Sequence, residues 1–153
     1  KRIRGILEGK EQISGEALQR LFVEDRREHL KDFILPALQA GKIVISDRYF
    51  FSTLAFGSLS CGFDWLMDLN KNFPVPDFTF ILKVRPEECL RRIERRGTKL
   101  EFFEKKEKLE KVMENYLRAA KIFQNVYMLD GERSISEIHD EIKGYLEKSD
   151  SLF

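Results

Sequence analysis

The stretch KIVISDRYFFSTLAF, residues 42–56, asks for a chemical explanation. An apolar run stops at Ser46, and an acid and a base follow side by side, Asp47 and Arg48, then Tyr49. A guanidinium presents a planar fork that matches two oxygens of a phosphate or carboxylate. The plainer alternative is that Asp47 caps the following helix and Arg48 pairs with it, and position alone does not choose between them. A second constellation lies in LFVEDRREH, residues 21–29. Phe22 and Arg26 are one helical turn apart and emerge on one face. An aromatic ring there could be core packing or a platform for a flat ligand. An arginine on a mostly apolar face is harder to dismiss, because an unpaired buried cation is expensive. Arg92, Arg95 and Arg96 crowd the stretch before Gly97. A solvated basic face is the simpler reading of Arg92 and Arg95.

These residues need elements to position them. Residues 1–9 read as the end of a helix, with Gly9 as its stop. Residues 14–40 read as a long helix whose broad face carries Leu18, Leu21, Phe22, Asp25, Arg26, His29, Leu30, Phe33, Ile34, Ala37 and Leu38. Pro36 is expected to kink its last turn and Gly41 to close it. Residues 42–46 form a continuous apolar run that predicts a parallel strand buried on both faces. Helices are expected from about Ser52 and over 63–71, with a turn-rich connector at 73–77. A second buried strand is predicted over 78–84 and a helix opening at Pro86. After a break at 97–103, a long helix is expected to about 123, then a third strand over 125–130. Ser134 and Glu137 form a capping box for a last helix with a core stripe of Ile135, Ile138, Ile142 and Tyr145 or Leu146. Strands alternating with helices predict an α/β protein with a parallel sheet, where ligands bind beyond the carboxyl ends of the strands. Asp47 and Arg48 would stand at such an end.

Composition bounds the rest. The 153 residues suit one domain, and 42% hydrophobic with 35% charged residues suits a soluble globular chain. A net charge of +1 argues against nucleic acid as the main partner. Cys61 and Cys89 follow no metal or disulfide spacing and read as reduced thiols of a cytoplasmic protein. No apolar run is long enough to predict a membrane span. His29 and His139 have no ligand-like partner in sequence, and a structural role is expected for both, with His29 within reach of Asp25.

Taken in order, LFxxDRxxH, GxIVIxDRYxxSxxAF, PDFTFILKVRPEECLRRIERRG and FFEKKEKLEKVMENY resemble the thymidylate kinases, nucleoside-monophosphate kinases of the P-loop fold. The resemblance runs from Lys1 to about Leu146. It implies a three-layer α/β fold with a parallel sheet flanked by helices, and a lid near 97–104. It implies transfer of a phosphoryl group from ATP, with magnesium, to dTMP. By the same likeness Phe22 stacks on thymine and Arg26 donates to its keto oxygen, where cytosine would offer a mismatched amino group. Arg48 grips the acceptor phosphate, and Asp47 orients a magnesium-bound water or Arg48. Tyr49, Ser52 and Phe56 shape the pocket. Arg96, with Arg92 beside it, matches the ATP side, and Phe103 lies against the sugar. Many family members carry Gln directly after the aromatic at Phe56; here that place is Gly57. Glu101 and Phe102 stand where the family often carries Asp-Arg. A homodimer is also implied.

No G-x-x-x-x-G-K-[ST] motif occurs in these residues. In the resembled family that phosphate cradle precedes the equivalent of Lys1, on a first strand lying between strands 42–46 and 78–84. The expectation is therefore a natural protein longer by about 45–55 residues, since a strand–loop–helix unit alone needs about 30. Two alternatives stand beside the kinase reading: another nucleotide kinase of the same fold, and a non-catalytic nucleotide-binding or scaffold relative without a P-loop.

Overall fold

The computed structural model describes residues 2–97 and 105–149. The chain divides into two compact units, Lys1–Pro74 and Val75–Phe153. The order of elements is α1 (Arg2–Leu7), α2 (Gly15–His29), a π-helical turn (Leu30–Ile34), α3 (Leu35–Gln39), α4 (Phe50–Gly57) and α5 (Phe63–Asn70) in the first unit. The second holds β1 (Thr79–Lys83), α6 (Pro86–Arg95), α7 (Lys106–Ala120), β2 (Val126–Asp130) and α8 (Ile135–Glu147).

In the first unit the long helix starts at Ser14, whose hydroxyl accepts from the Ala17 amide at 3.2 Å. Its expected kink takes the form of a wide turn. Pro36 has no N–H and its ring crowds the carbonyl four residues back, so the chain widens to a π-helical turn just before it. The helix then closes on Gly41, which adopts φ +71°, with Gly41 N–H donating to Leu38 and Lys42 N–H to Ala37. Gly9 ends α1 in the same way. The buried face of the 14–40 stretch is narrower than its apolar pattern: Gln19 and Val23 of α2 and Leu30 of the π turn are covered, whereas Phe33 and Leu38 are exposed. Helix α4 is apolar nearly all round and correspondingly buried, with Leu54 and Ala55 fully inside and Leu66 of α5 likewise. Each of the two leucines contributes about 1.5–3 kcal/mol by leaving water.

Residues 42–46 correct the expectation of a buried strand. They form no regular element and pair with no strand among the described residues, and Ile43 and Ile45 are 71% and 93% exposed. Apolar composition sets a preference for extended backbone. Burial needs a neighbour on each side, and the sheet of the described residues holds only β1 and β2.

In the second unit β1 and β2 pair in parallel, from Thr79 opposite Val126 to Lys83 opposite Asp130. The Gly131 amide extends the ladder to the Lys83 carbonyl at 2.8 Å. Phe80, Tyr127 and Tyr145 of α8 cluster over one face, with Tyr127 and Tyr145 centroids 4.4 Å apart. Ile81 is buried, but Leu82 is half exposed, so β1 is covered less than a strand buried on both faces would be. Pro86 opens α6 at its first turn, and Gly97 follows its end at φ +66°. The Ser134–Glu137 capping box forms as expected. Ile135 departs from the expected core stripe: it is 89% exposed, as the first residue of α8.

Candidate active site

Arg26 is a half-buried cation of the first unit. It projects from α2 toward the middle of α4 and the end of α5. Its Nη1 donates to Asn70 Oδ1 at 2.7 Å and its Nη2 to Thr53 Oγ1 at 2.8 Å. Its guanidinium carbon lies 5.4 Å from the ring centroids of both Tyr49 and Phe73. Burial lowers its pKa from the ordinary arginine value, and nearby Tyr49 and Asp25 oppose that effect. The cation is thus half-buried with no carboxylate bonded to it among the described residues, and neutral acceptors and π-faces hold it in place. Phe22 is half-buried one turn earlier on the same helix.

Tyr49 connects this cluster to Asp47 and Arg48. Its ring packs on Phe50 at 5.0 Å, and its hydroxyl is buried with no hydrogen-bond partner among the described residues. Burial pushes the Tyr49 phenol up, and Arg26 pulls it down. Arg48, the residue before it, is exposed and is the one non-glycine with positive φ among the described residues, at +69°. That conformation is costly for a side chain with a Cβ, and such strain collects at functional sites. The Ser46 hydroxyl donates to the Arg48 carbonyl at 2.8 Å, and the Arg48 guanidinium lies 5.2 Å from the centroid of Phe56. Asp47 is exposed. It neither caps α4 nor pairs with Arg48 among the described residues, since Tyr49 is the cap residue and makes no side-chain capping bond. The plainer reading of Asp47 and Arg48 therefore has no geometry behind it.

Ser52 and Phe56 lie half-buried on α4. Gly57, where the resembled family often carries Gln, is a packing residue here. A Cβ on it would sit 3.0 Å from Gln19 Cδ, Gln19 Oε1 and Leu66 Cδ1. A side chain there would require Gln19 of α2 and Leu66 of α5 to give way. Thr53, Asn70 and Phe73 were not singled out by sequence. Asn70 is a polar residue ending an apolar helix, which is a weak signal, and Thr53 looks like an ordinary helix residue. A cavity of about 410 Å³ lined by Asp25, Glu28, His29, Asp32 and Phe33 lies on the same helical stretch. It includes neither Phe22, Arg26 nor Arg48. His29 packs on Phe33 with centroids 5.6 Å apart and makes no bond to Asp25 among the described residues.

In the second unit, Arg92 Nε donates to Glu88 Oε1 at 2.8 Å, and Arg91 pairs with the same carboxylate. Glu88 is buried, so this pairing anchors the helix face. Arg96 is the exposed C-cap of α6. Phe103 and most of the expected lid lie outside the described residues. Cys61 and Cys89 are free thiols. Among the described residues no helix is long and apolar enough to cross a membrane.

Comparison with known proteins places this geometry in a family. The family model described as thymidylate kinase matches residues 1–142. The "Probable thymidylate kinase" of Thermococcus gammatolerans is 42% identical over 146 residues, which cover 94% of this chain and 69% of that protein. The protein of the same description from Pyrococcus horikoshii is 44% identical over 131 residues, covering 85% and 64%. That of Methanocaldococcus jannaschii is 34% identical over 146 residues, covering 94% and 74%. With a match along nearly its whole length, on a helix-rich α/β chain with a small parallel sheet, this chain belongs to the thymidylate kinase family.

Proposed function

We propose that the protein transfers the γ-phosphoryl group of ATP to dTMP, giving dTDP and ADP, and that residues 22–73 form the dTMP side of the site. The observation that carries this reading is the Arg26 cluster: a half-buried guanidinium held by Asn70 and Thr53 beside two aromatic rings. Its bonded partners are neutral, so its charge is left for a ligand. Phe22 stacks on the pyrimidine and Arg26 donates to the keto oxygen of thymine. Cytosine would bring an amino donor against a guanidinium donor and be rejected. Ser52, Tyr49 and Phe56 bound the pocket.

Phosphoryl transfer asks a protein chiefly for positioning and charge neutralisation. Arg48 holds the acceptor phosphate with its fork, so that one phosphate oxygen of dTMP attacks the terminal phosphorus while ADP departs. Magnesium enters with ATP as part of that substrate. Asp47, an exposed carboxylate beside Arg48, suits a water of the ion's shell. Arg96 and Arg92 serve the ATP side, and Phe103 the sugar. A homodimer in the cytoplasm completes the reading.

The test is ADP release by the complete gene product with dTMP, dUMP, dCMP and the ribose analogue of dTMP. Preference for dTMP is expected. Arg26→Ala should cut the dTMP-over-dCMP preference by roughly 10–100-fold, the worth of one hydrogen bond from a charged donor. Unchanged selectivity would remove Arg26 from the base.

A further inference from the structure

We propose that Asn70 is a positioning residue that aims Arg26 at the pyrimidine, so that base selectivity depends on a side chain that does not touch the substrate. The inference rests on the base-reading role of Arg26 given above.

Asn70 closes α5 and is only 4% exposed. Both ends of its amide are engaged. Nδ2 donates to the Leu66 carbonyl at 2.8 Å, one turn back on the same helix. Oδ1 accepts from Arg26 Nη1 at 2.7 Å. The two bonds enforce each other. A flipped amide would set donor against donor at Arg26 and acceptor against acceptor at Leu66. Helix α5 is therefore a fixed mount, and the amide on it offers Arg26 an acceptor of one orientation. Leu66, which anchors the mount, is fully buried.

A guanidinium has five N–H donors in a rigid plane. Asn70 takes one on Nη1 and Thr53 takes one on Nη2, from a different helix. Two bonds to separate nitrogens fix both the position and the roll of the plane. The Nε–H and the second hydrogen on each terminal nitrogen then point in set directions. Thr53 alone would leave the group a swivel about one bond. A misaimed donor loses most of its discrimination between a keto oxygen and an amino group, because hydrogen bonds weaken steeply off line.

Removing the Asn70 acceptor should therefore affect which base is bound more than how fast it is phosphorylated. In the complete gene product, Asn70→Leu should lower the ratio of dTMP to dCMP affinity about tenfold. The KM for dTMP should rise while kcat stays within about threefold, as for an interaction made equally in ground and transition states. A purely structural role predicts the reverse pattern: a lower melting temperature with the ratio intact. A second readout needs no variant. With both terminal nitrogens tethered, ¹⁵N NMR of the parent protein should show separate Nη1 and Nη2 signals for Arg26, and Asn70→Leu should average them.

An unchanged dTMP-to-dCMP ratio in Asn70→Leu, with Arg26→Ala showing a reduced one, would overturn the inference alone. An unchanged ratio in Arg26→Ala would instead overturn the base-reading role on which it rests. If Asn70→Leu fails to fold, the parent decides: two separate Nη signals for Arg26 uphold the tether, and a single averaged signal overturns it.

Discussion

Replacing Arg48 by glycine and by alanine separates its backbone from its charge. At φ +69° a residue with a Cβ carries about 1–2 kcal/mol of left-handed strain. Glycine adopts that conformation freely, at the cost of a more mobile unfolded chain. Two local contacts offset the strain in the parent. The Ser46 hydroxyl bonds the Arg48 carbonyl at 2.8 Å, worth about 0.5–1.5 kcal/mol at most on an exposed segment. The guanidinium lies 5.2 Å from the Phe56 centroid, worth about 0.5–1 kcal/mol where water reaches it. Alanine keeps the strain and loses the cation–π contact. Arg48→Gly should therefore be more stable than Arg48→Ala by about 1 kcal/mol, or about 2–4 °C in melting temperature for a chain of this size. Turnover should fall alike in both. A bidentate phosphate grip involves two charge-assisted bonds of about 1.5–3 kcal/mol each, a loss on the order of 10²–10⁴-fold. Thermal melting paired with coupled ADP release on the complete gene product reads both effects. Equal melting of the two variants would refute the strain argument. Near-parental turnover in either would refute the phosphate grip.

Two further predictions concern the second unit. Arg85 clasps the Glu132 carboxylate at 2.6–2.9 Å and donates its backbone amide as well, which holds Glu132 down to about 2. A depressed carboxylate contributes stability that is present above its unfolded value of about 4.3 and lost as pH falls toward 2. Denaturant midpoints measured between pH 7 and pH 2 should fall through that window less in Glu132→Gln than in the parent, and identical acid profiles would discount the pair. A Cβ at Gly131 would stand 2.6 Å from Val84 Cγ2 and 3.2 Å from the Lys83 carbonyl oxygen. Gly131→Ala should cost about 1–3 kcal/mol of stability by denaturant titration, and a neutral result would mean that the end of the ladder yields readily.

Much of the local structure is legible in the residue order because its causes are local. Gly9 and Gly41 end helices at positive φ, Pro36 follows the widened turn it causes, and Ser134 with Glu137 caps α8, all through contacts within about one or two turns. The one-turn spacing that puts Phe22 and Arg26 on one face of α2 is equally local, as is the DRY tripeptide that directs attention to Arg48. Burial is not local. Residues 42–46 have strand-like composition, yet Ile43 and Ile45 face outward, because a strand's environment is supplied by other segments. What holds Arg26 is likewise a matter of three helices meeting: Thr53 and Asn70 lie 27 and 44 residues further along the chain, and Phe73 lies in a connector. Spacing along one helix tells which side chains share a face. Only the packing of that helix against α4 and α5 decides which acceptor each of them meets, since hydrogen bonds act over about 3 Å and carry no memory of sequence distance.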